Sequence, residues 1–223
     1  MKIKWDRPTL IKLLTDHGNQ EKAPAMAAYM KNHFPFLGIQ SPLRADLLKQ
    51  YFSIHELPEG VQGVWEEVFA LLDLTEREFH YAAIALMGKM KLTIEDLDRI
   101  QRVIETKSWW DSVDSIAPTI LGNVVKKERT GGEEVMKRWA QSENMWVVRA
   151  SILHQLKYKA ETNEALLFDT IERQKESDEF FIQKAIGWSL REYAKTSPNS
   201  VRTFVETTDL KPLSRREALK HIK

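Results

Sequence analysis

Apolar residues recur at three- and four-residue spacings along nearly the whole chain. Pro, Ser, Thr or Asp interrupts the pattern roughly every 12 to 20 residues, which predicts a succession of short helices. Asp6-Arg7-Pro8 opens the first, and Pro24 opens a second carrying Met26, Tyr29, Met30 and Phe34. Ser41-Pro42 opens a third, with Leu43, Leu47, Leu48 and Phe52 on its apolar side. Val61, Val64, Trp65, Val68, Phe69 and Leu72 form the next stripe, and another helix is expected from about Thr75 to Lys91. Thr93 to Asp96, Ser108 to Asp111 and Ser214 to Glu217 each read as capping boxes, while Ser197-Pro198 starts one more helix. Gly131-Gly132 reads as a loop, and no stretch alternates like a strand. The pattern predicts an all-α chain, either an irregular bundle or a stack of helical hairpins. No linker is long enough to divide it, so a single domain over 1–223 is expected.

Composition narrows the chemistry. The chain has no cysteine, which excludes a disulfide scaffold, a thiolate zinc site and a cysteine nucleophile. Its six histidines, His17, His33, His55, His80, His154 and His221, are too scattered for a helical metal pair, so no metal is expected. No glycine-rich phosphate loop occurs, so no nucleotide cofactor is expected. No apolar run approaches the roughly 20 residues that cross a bilayer, and the stretch from Met1 to Pro8 lacks the apolar centre of a signal peptide. A soluble, cytoplasmic protein without a membrane partner is expected. The 33 Lys+Arg and 32 Asp+Glu nearly cancel, but residues 51–100 hold 10 acidic and 4 basic side chains and residues 180–223 hold 4 and 9. A neutral whole with a basic end can still present a local anion-binding surface.

Three helices carry residues that a plain core does not need. On a wheel over residues 179–196, at about 100° per residue, Ile182, Ala185, Ile186, Ser189 and Tyr193 form the core face. Lys184, Arg191 and Lys195 fall within about 40° of one another on the other side, with Trp188 beside them. Either a neighbouring helix covers Trp188, or this face meets a polyanion. After Ser108, the stripe Trp109, Val113, Ile116, Ala117, Ile120 and Val124 faces the core, with Pro118 a candidate kink. Trp110 and Asp114 stand one turn apart at its edge. Arg149 lies inside the apolar arc of Met145, Val148, Ile152, Leu153 and Leu156 on a helix expected to reach Lys157. A buried cation needs an anionic partner, and Asp114 or a phosphate would serve.

Three segments together resemble the AlkD-type alkylpurine DNA glycosylases. They are Thr106-Lys-Ser-Trp-Trp-Asp-Ser-Val-Asp-Ser-Ile116, Phe180-Phe-Ile-Gln-Lys-Ala-Ile-Gly-Trp-Ser-Leu-Arg-Glu-Tyr-Ala-Lys195 and Leu213-Ser-Arg-Arg-Glu-Ala-Leu-Lys-His-Ile222. Tyr29-Met-Lys-Asn-His-Phe34 and Leu37-Gly-Ile-Gln40 extend the match toward the start. The resemblance implies a superhelical solenoid of HEAT-like repeats whose concave face grips double-stranded DNA. It implies hydrolysis of the N-glycosidic bond of cationic N3- and N7-alkylated purines, without a base-flipping pocket. It places Trp110, Asp114, Arg149 and Trp188 in the catalytic cleft, and Tyr29, Gln40, Lys157 and Arg191 near the DNA. Ser189 and Val147-Val148 depart from the family's text beside the matched residues.

These residue types suit that chemistry. A cationic purine is already a good leaving group, so the barrier lies in the oxocarbenium ion that develops on the sugar. A carboxylate such as Asp114 can stabilise that cation and deprotonate water. Indole faces can add cation–π stabilisation, while Lys184, Arg191 and Lys195 can supply salt-dependent backbone affinity. No cofactor is required, and a monomer is expected. Two other readings share the helices: a non-catalytic solenoid that binds damaged DNA, and a scaffold whose basic face docks an acidic protein.

Overall fold

The computed structural model describes residues 2–220, and many of its helices begin where proline loses nothing by lacking an N–H. His221 and Ile222, which end the third matching segment, lie outside the described residues. Pro8, Pro24 and Pro42 sit in the first turns of α1 (Arg7–Asp16), α2 (Ala23–Tyr29) and α3 (Ser41–Ile54). α2 ends before the expected Phe34 because Lys31 and Asn32 turn left-handed, at φ 56° and 59°. α4 (Gly60–Leu72) buries Val64, Trp65, Val68 and Leu72 but exposes Val61 in its first turn. α5 (Arg77–Met87) is shorter than the helix expected from Thr75 to Lys91.

These five helices belong to one compact unit, ending at Lys91, and a second begins at Leu92. In the first unit the buried Glu78 accepts the amides of Leu37, Gly38 and Ile39, each at 2.9 Å. Such charge-assisted bonds fix the loop that runs into Gln40. Gly38 has φ +90°, and a Cβ there would lie 2.0 Å from the Asn19 carbonyl oxygen, so the loop requires glycine.

In the second unit Thr93 and Asp96 form the expected capping box, on a short 3-10 turn (Ile94–Asp96) ahead of α6 (Leu97–Glu105). The Ser108 box does not form. Its hydroxyl donates instead to the Ile104 carbonyl, at 2.7 Å, and Trp109 becomes the N-cap of α7 (Trp110–Ile116). Pro118 is accommodated by a π-helical turn (Ala117–Leu121) that leads into α8 (Gly122–Lys127). Gly131 and Gly132, read as a loop, lie inside α9 (Arg129–Trp139). Gly132 serves close packing, since a Cβ there would meet Val125 Cα at 3.0 Å, whereas a Cβ on the exposed Gly131 would meet only the movable tip of Ile94.

α10 (Met145–Leu153) stops short of Lys157 and is buried from Trp146 to Leu153, packed against α6, α7, α9 and α12 among others. A helix covered on all sides has no solvent face for an arginine. α11 (Glu164–Gln174), α12 (Phe180–Ala194), α13 (Pro198–Thr207) and α14 (Pro212–Ala218) complete the order, with α12 packed against α10, α13 and α14. The Ser214 box is also absent: α14 starts at Pro212, and Ser214 donates to the Gln183 carbonyl at 3.1 Å. The described residues are all-α, with one isolated bridge between Ile3 and His55. No described helix is long and apolar enough to cross a membrane.

Candidate active site

Asp114 and Arg149, 35 positions apart, converge as a two-pronged ion pair. Arg149 Nε donates to Asp114 Oδ1 at 2.8 Å and Nη2 to Oδ2 at 2.9 Å. Arg149 Nη1 donates to the Phe181 main-chain carbonyl. The guanidinium is thereby held by α7 and by the start of α12, so it orients the carboxylate. Beside it Trp109, Trp146 and Phe181 pack ring against ring, with centroids 5.1 to 5.5 Å apart. The side chain of Arg149 is 5% exposed and that of Asp114 18%.

An arginine this close ordinarily lowers a carboxylate's pKa. Burial outweighs it here, and the Asp114 carboxyl is pushed above its usual value despite Arg149, with Asp111 adding to the rise. The arrangement presents a desolvated carboxylate in a fixed orientation. Trp110, half-buried, lies one turn before it on α7.

Trp188 is half-buried on α12, two turns beyond Phe181 on the same side of the helix, about 10 Å along its axis. Phe181, Lys184, Trp188, Arg191 and Lys195 follow one another at alternating spacings of three and four, a continuous stripe. Its first member binds Arg149 through its carbonyl, so one helix links the ion pair to the cations.

Those cations are not all free. Lys184 meets Glu217 of α14 at 3.2 Å, and Arg191 meets it at 2.7 Å. The bonds from Arg191 and Lys184 hold the Glu217 carboxyl below its usual range. Lys195 pairs with Glu192 at 2.7 Å on the surface. Lys157 is exposed, beyond the end of α10. Tyr29 and Gln40 lie in the first unit, both exposed; Tyr29 closes α2, and Gln40 precedes α3 and accepts from Lys22 Nζ at 2.9 Å. A cavity of about 190 Å³ lies on the Ser189 and Tyr193 side of α12, and none of Trp110, Asp114, Arg149 or Trp188 lines it.

Read from sequence, Phe181 has no role and Glu217 only that of a helix cap. Glu217 had a visible signal, being the sole acid between Lys211 and Lys220 among four cations. The contribution of Phe181 is a backbone carbonyl, which no side-chain pattern announces.

The family model described as DNA alkylation repair enzyme matches residues 10–222. A comparison with curated proteins gives no match. Among solved structures, one described as a predicted DNA alkylation repair enzyme from Enterococcus faecalis is similar, with 36% identity and a TM-score of 0.86. The similarity covers 92% of this chain and 96% of that one. The chain belongs to the DNA alkylation repair enzyme family.

Proposed function

We propose that the protein is a DNA glycosylase that removes cationic N3- and N7-alkylated purines from duplex DNA, opening base excision repair. The observation that carries this reading is Asp114, a carboxylate kept desolvated and aimed by a two-pronged arginine. The C1′–N bond breaks heterolytically, its electron pair neutralises the charged purine, and the base leaves without an acid. Positive charge then develops on the deoxyribose. Asp114 stabilises that cation and takes a proton from the water that adds to C1′, leaving an abasic site. Trp110 and Trp188 pack their faces on the sugar, each contributing roughly 0.5 to 2 kcal/mol.

Arg149 serves as a positioning residue rather than a phosphate ligand, because its guanidinium is committed to Asp114 and Phe181. Burial disfavours the ionised carboxyl, and the arginine opposes that penalty at the cost of part of the carboxylate's field. Lys157, Lys184, Arg191 and Lys195 of the second unit contact the DNA backbone, and Tyr29 and Gln40 contact it from the first. The protein works as a cytoplasmic monomer, and the charged leaving group makes a cofactor unnecessary.

The test is release of free base from duplex containing N7-methylguanine, by the intact protein and by Asp114→Asn. Release by the first alone supports the reading. Duplex binding without release by either would leave a non-catalytic binder of damaged DNA.

A further inference from the structure

The stripe on α12 was expected to offer Lys184 and Arg191 to DNA, yet both already hold an anion. Glu217 Oε1 stands 3.2 Å from Lys184 Nζ, and Oε2 stands 2.7 Å from Arg191 Nη1. Each carboxylate oxygen thus serves one cation, as the two unesterified oxygens of a phosphodiester would. Arg191 Nη1 also reaches the Glu217 carbonyl, at 3.2 Å, so the arginine is anchored to the backbone of α14 as well. The approach is built in: α14 lies so close that a Cβ on Gly187 would fall 2.4 Å from Glu217 Cβ. The side chain of Glu217 is 12% exposed, whereas that of Lys184 is 37% exposed, leaving the lysine open to a further ligand.

We propose that Glu217 occupies a backbone-phosphate seat, holding Lys184 and Arg191 in place while weakening their pull on a DNA phosphodiester. This rests on the DNA-binding face assigned above. Two cations and one carboxylate leave the seat a single net positive charge, so duplex is held loosely there. Removing the carboxylate charge should tighten the hold. If Glu217 served only to tie α14 to α12, removing its charge would loosen the face and weaken binding.

The experiment is equilibrium binding to undamaged duplex over a salt series, with thermal unfolding of each protein alongside. Glu217→Gln should bind about fivefold tighter at low salt, the size of one charge contact in water, and show a steeper salt dependence. Lys184→Gln should lower the salt slope more in the Glu217→Gln background than with Glu217 present. Equal or weaker binding by a folded Glu217→Gln, or the same effect of Lys184→Gln in both backgrounds, overturns the proposal.

Should Glu217→Gln fail to fold, Lys184→Gln is compared with Lys157→Gln in protein that keeps Glu217. Lys157 is exposed and has no ion pair among the described residues. Its loss should remove about 0.9 from the slope, and the loss of Lys184 clearly less; equal losses overturn the proposal. Absence of duplex binding by wild type even at low salt fells the DNA reading itself, and the proposal with it. Binding by wild type with no gain in Glu217→Gln fells the proposal alone.

Discussion

Two carboxylates of the second unit each meet an arginine, and their acidities move in opposite directions. Asp114 is pushed above its usual value and Glu217 is held below it. Direct contact with solvent does not separate them, since their side chains are 18% and 12% exposed. What differs is the covering. Asp114 has one cation and lies beside the Trp109, Trp146 and Phe181 rings, between α7, α10 and α12. Glu217 is covered by its own two partners, whose side chains are 37% and 22% exposed to solvent. Apolar cover removes the hydration that a charge needs, whereas a pair of cations replaces it. The first arrangement disfavours the ionised carboxyl, and the second favours it.

The largest expected effect follows directly. Asp114→Asn should lower single-turnover excision between about a hundredfold and ten-thousandfold, the range for losing a positioned base. Glu217→Gln should leave that rate within a few-fold at saturating duplex. Comparable losses in both variants would erase the distinction between the sites. Stability should divide the same way. Arg149→Met strands Asp114 without its cation and should cost about 3–5 kcal/mol in denaturant unfolding, against at most about 1 kcal/mol for Glu217→Gln. Asp114→Asn leaves Arg149 buried opposite a neutral group, so its folding is measured with its activity.

Acid should reveal the next difference. Excision should fall as Asp114 protonates, at a pH above that of an ordinary aspartate, while Glu217 stays charged to lower pH than an ordinary glutamate. His154 complicates the same range: burial pushes it down to about 4 from 6.5. The unfolded chain therefore binds its proton more readily. Stability from this group is full above pH 6.5 and is lost toward pH 4, by roughly 3 kcal/mol. The rate profile is checked against unfolding midpoints at each pH; a limb that follows the midpoints reports His154 and not Asp114.

The helices were legible because their proline starts and apolar spacings act over a few residues. Pro8, Pro42 and Pro198 each fall in a first turn. Asp114 and Arg149 were legible as a pair because a cation inside the apolar arc of α10 had to be answered from elsewhere in the chain. Gly131 and Gly132 misled because a helix-interior glycine and a turn glycine look alike in sequence; for Gly132 it is the backbone of Val125, distant from any local turn signal, that decides. Ser214 to Glu217 misled for a similar reason. Its hydroxyl and carboxylate both found partners on α12, Gln183 for one and Lys184 and Arg191 for the other, which no local pattern encodes.

Gly187→Ala gives the smallest effect and separates the two carboxylates most cleanly. The added methyl would meet Glu217 Cβ at 2.4 Å and the Ser214 carbonyl oxygen at 2.9 Å, so α14 must shift away from α12. Overpacking of this kind costs about 1–3 kcal/mol, and the gain of a better helix former returns roughly 0.5–1 kcal/mol. A net loss of about 1 kcal/mol should lower the unfolding midpoint by roughly 2–4 °C for a chain of this size. The shift carries Glu217 away from Lys184 and Arg191 without touching Asp114, Arg149 or Phe181. Duplex binding should therefore change its salt dependence while the acid limb of excision stays where it was. A displaced acid limb in this variant would mean that the α14 contact reaches Asp114 through α12, and that the two carboxylates answer to one another after all.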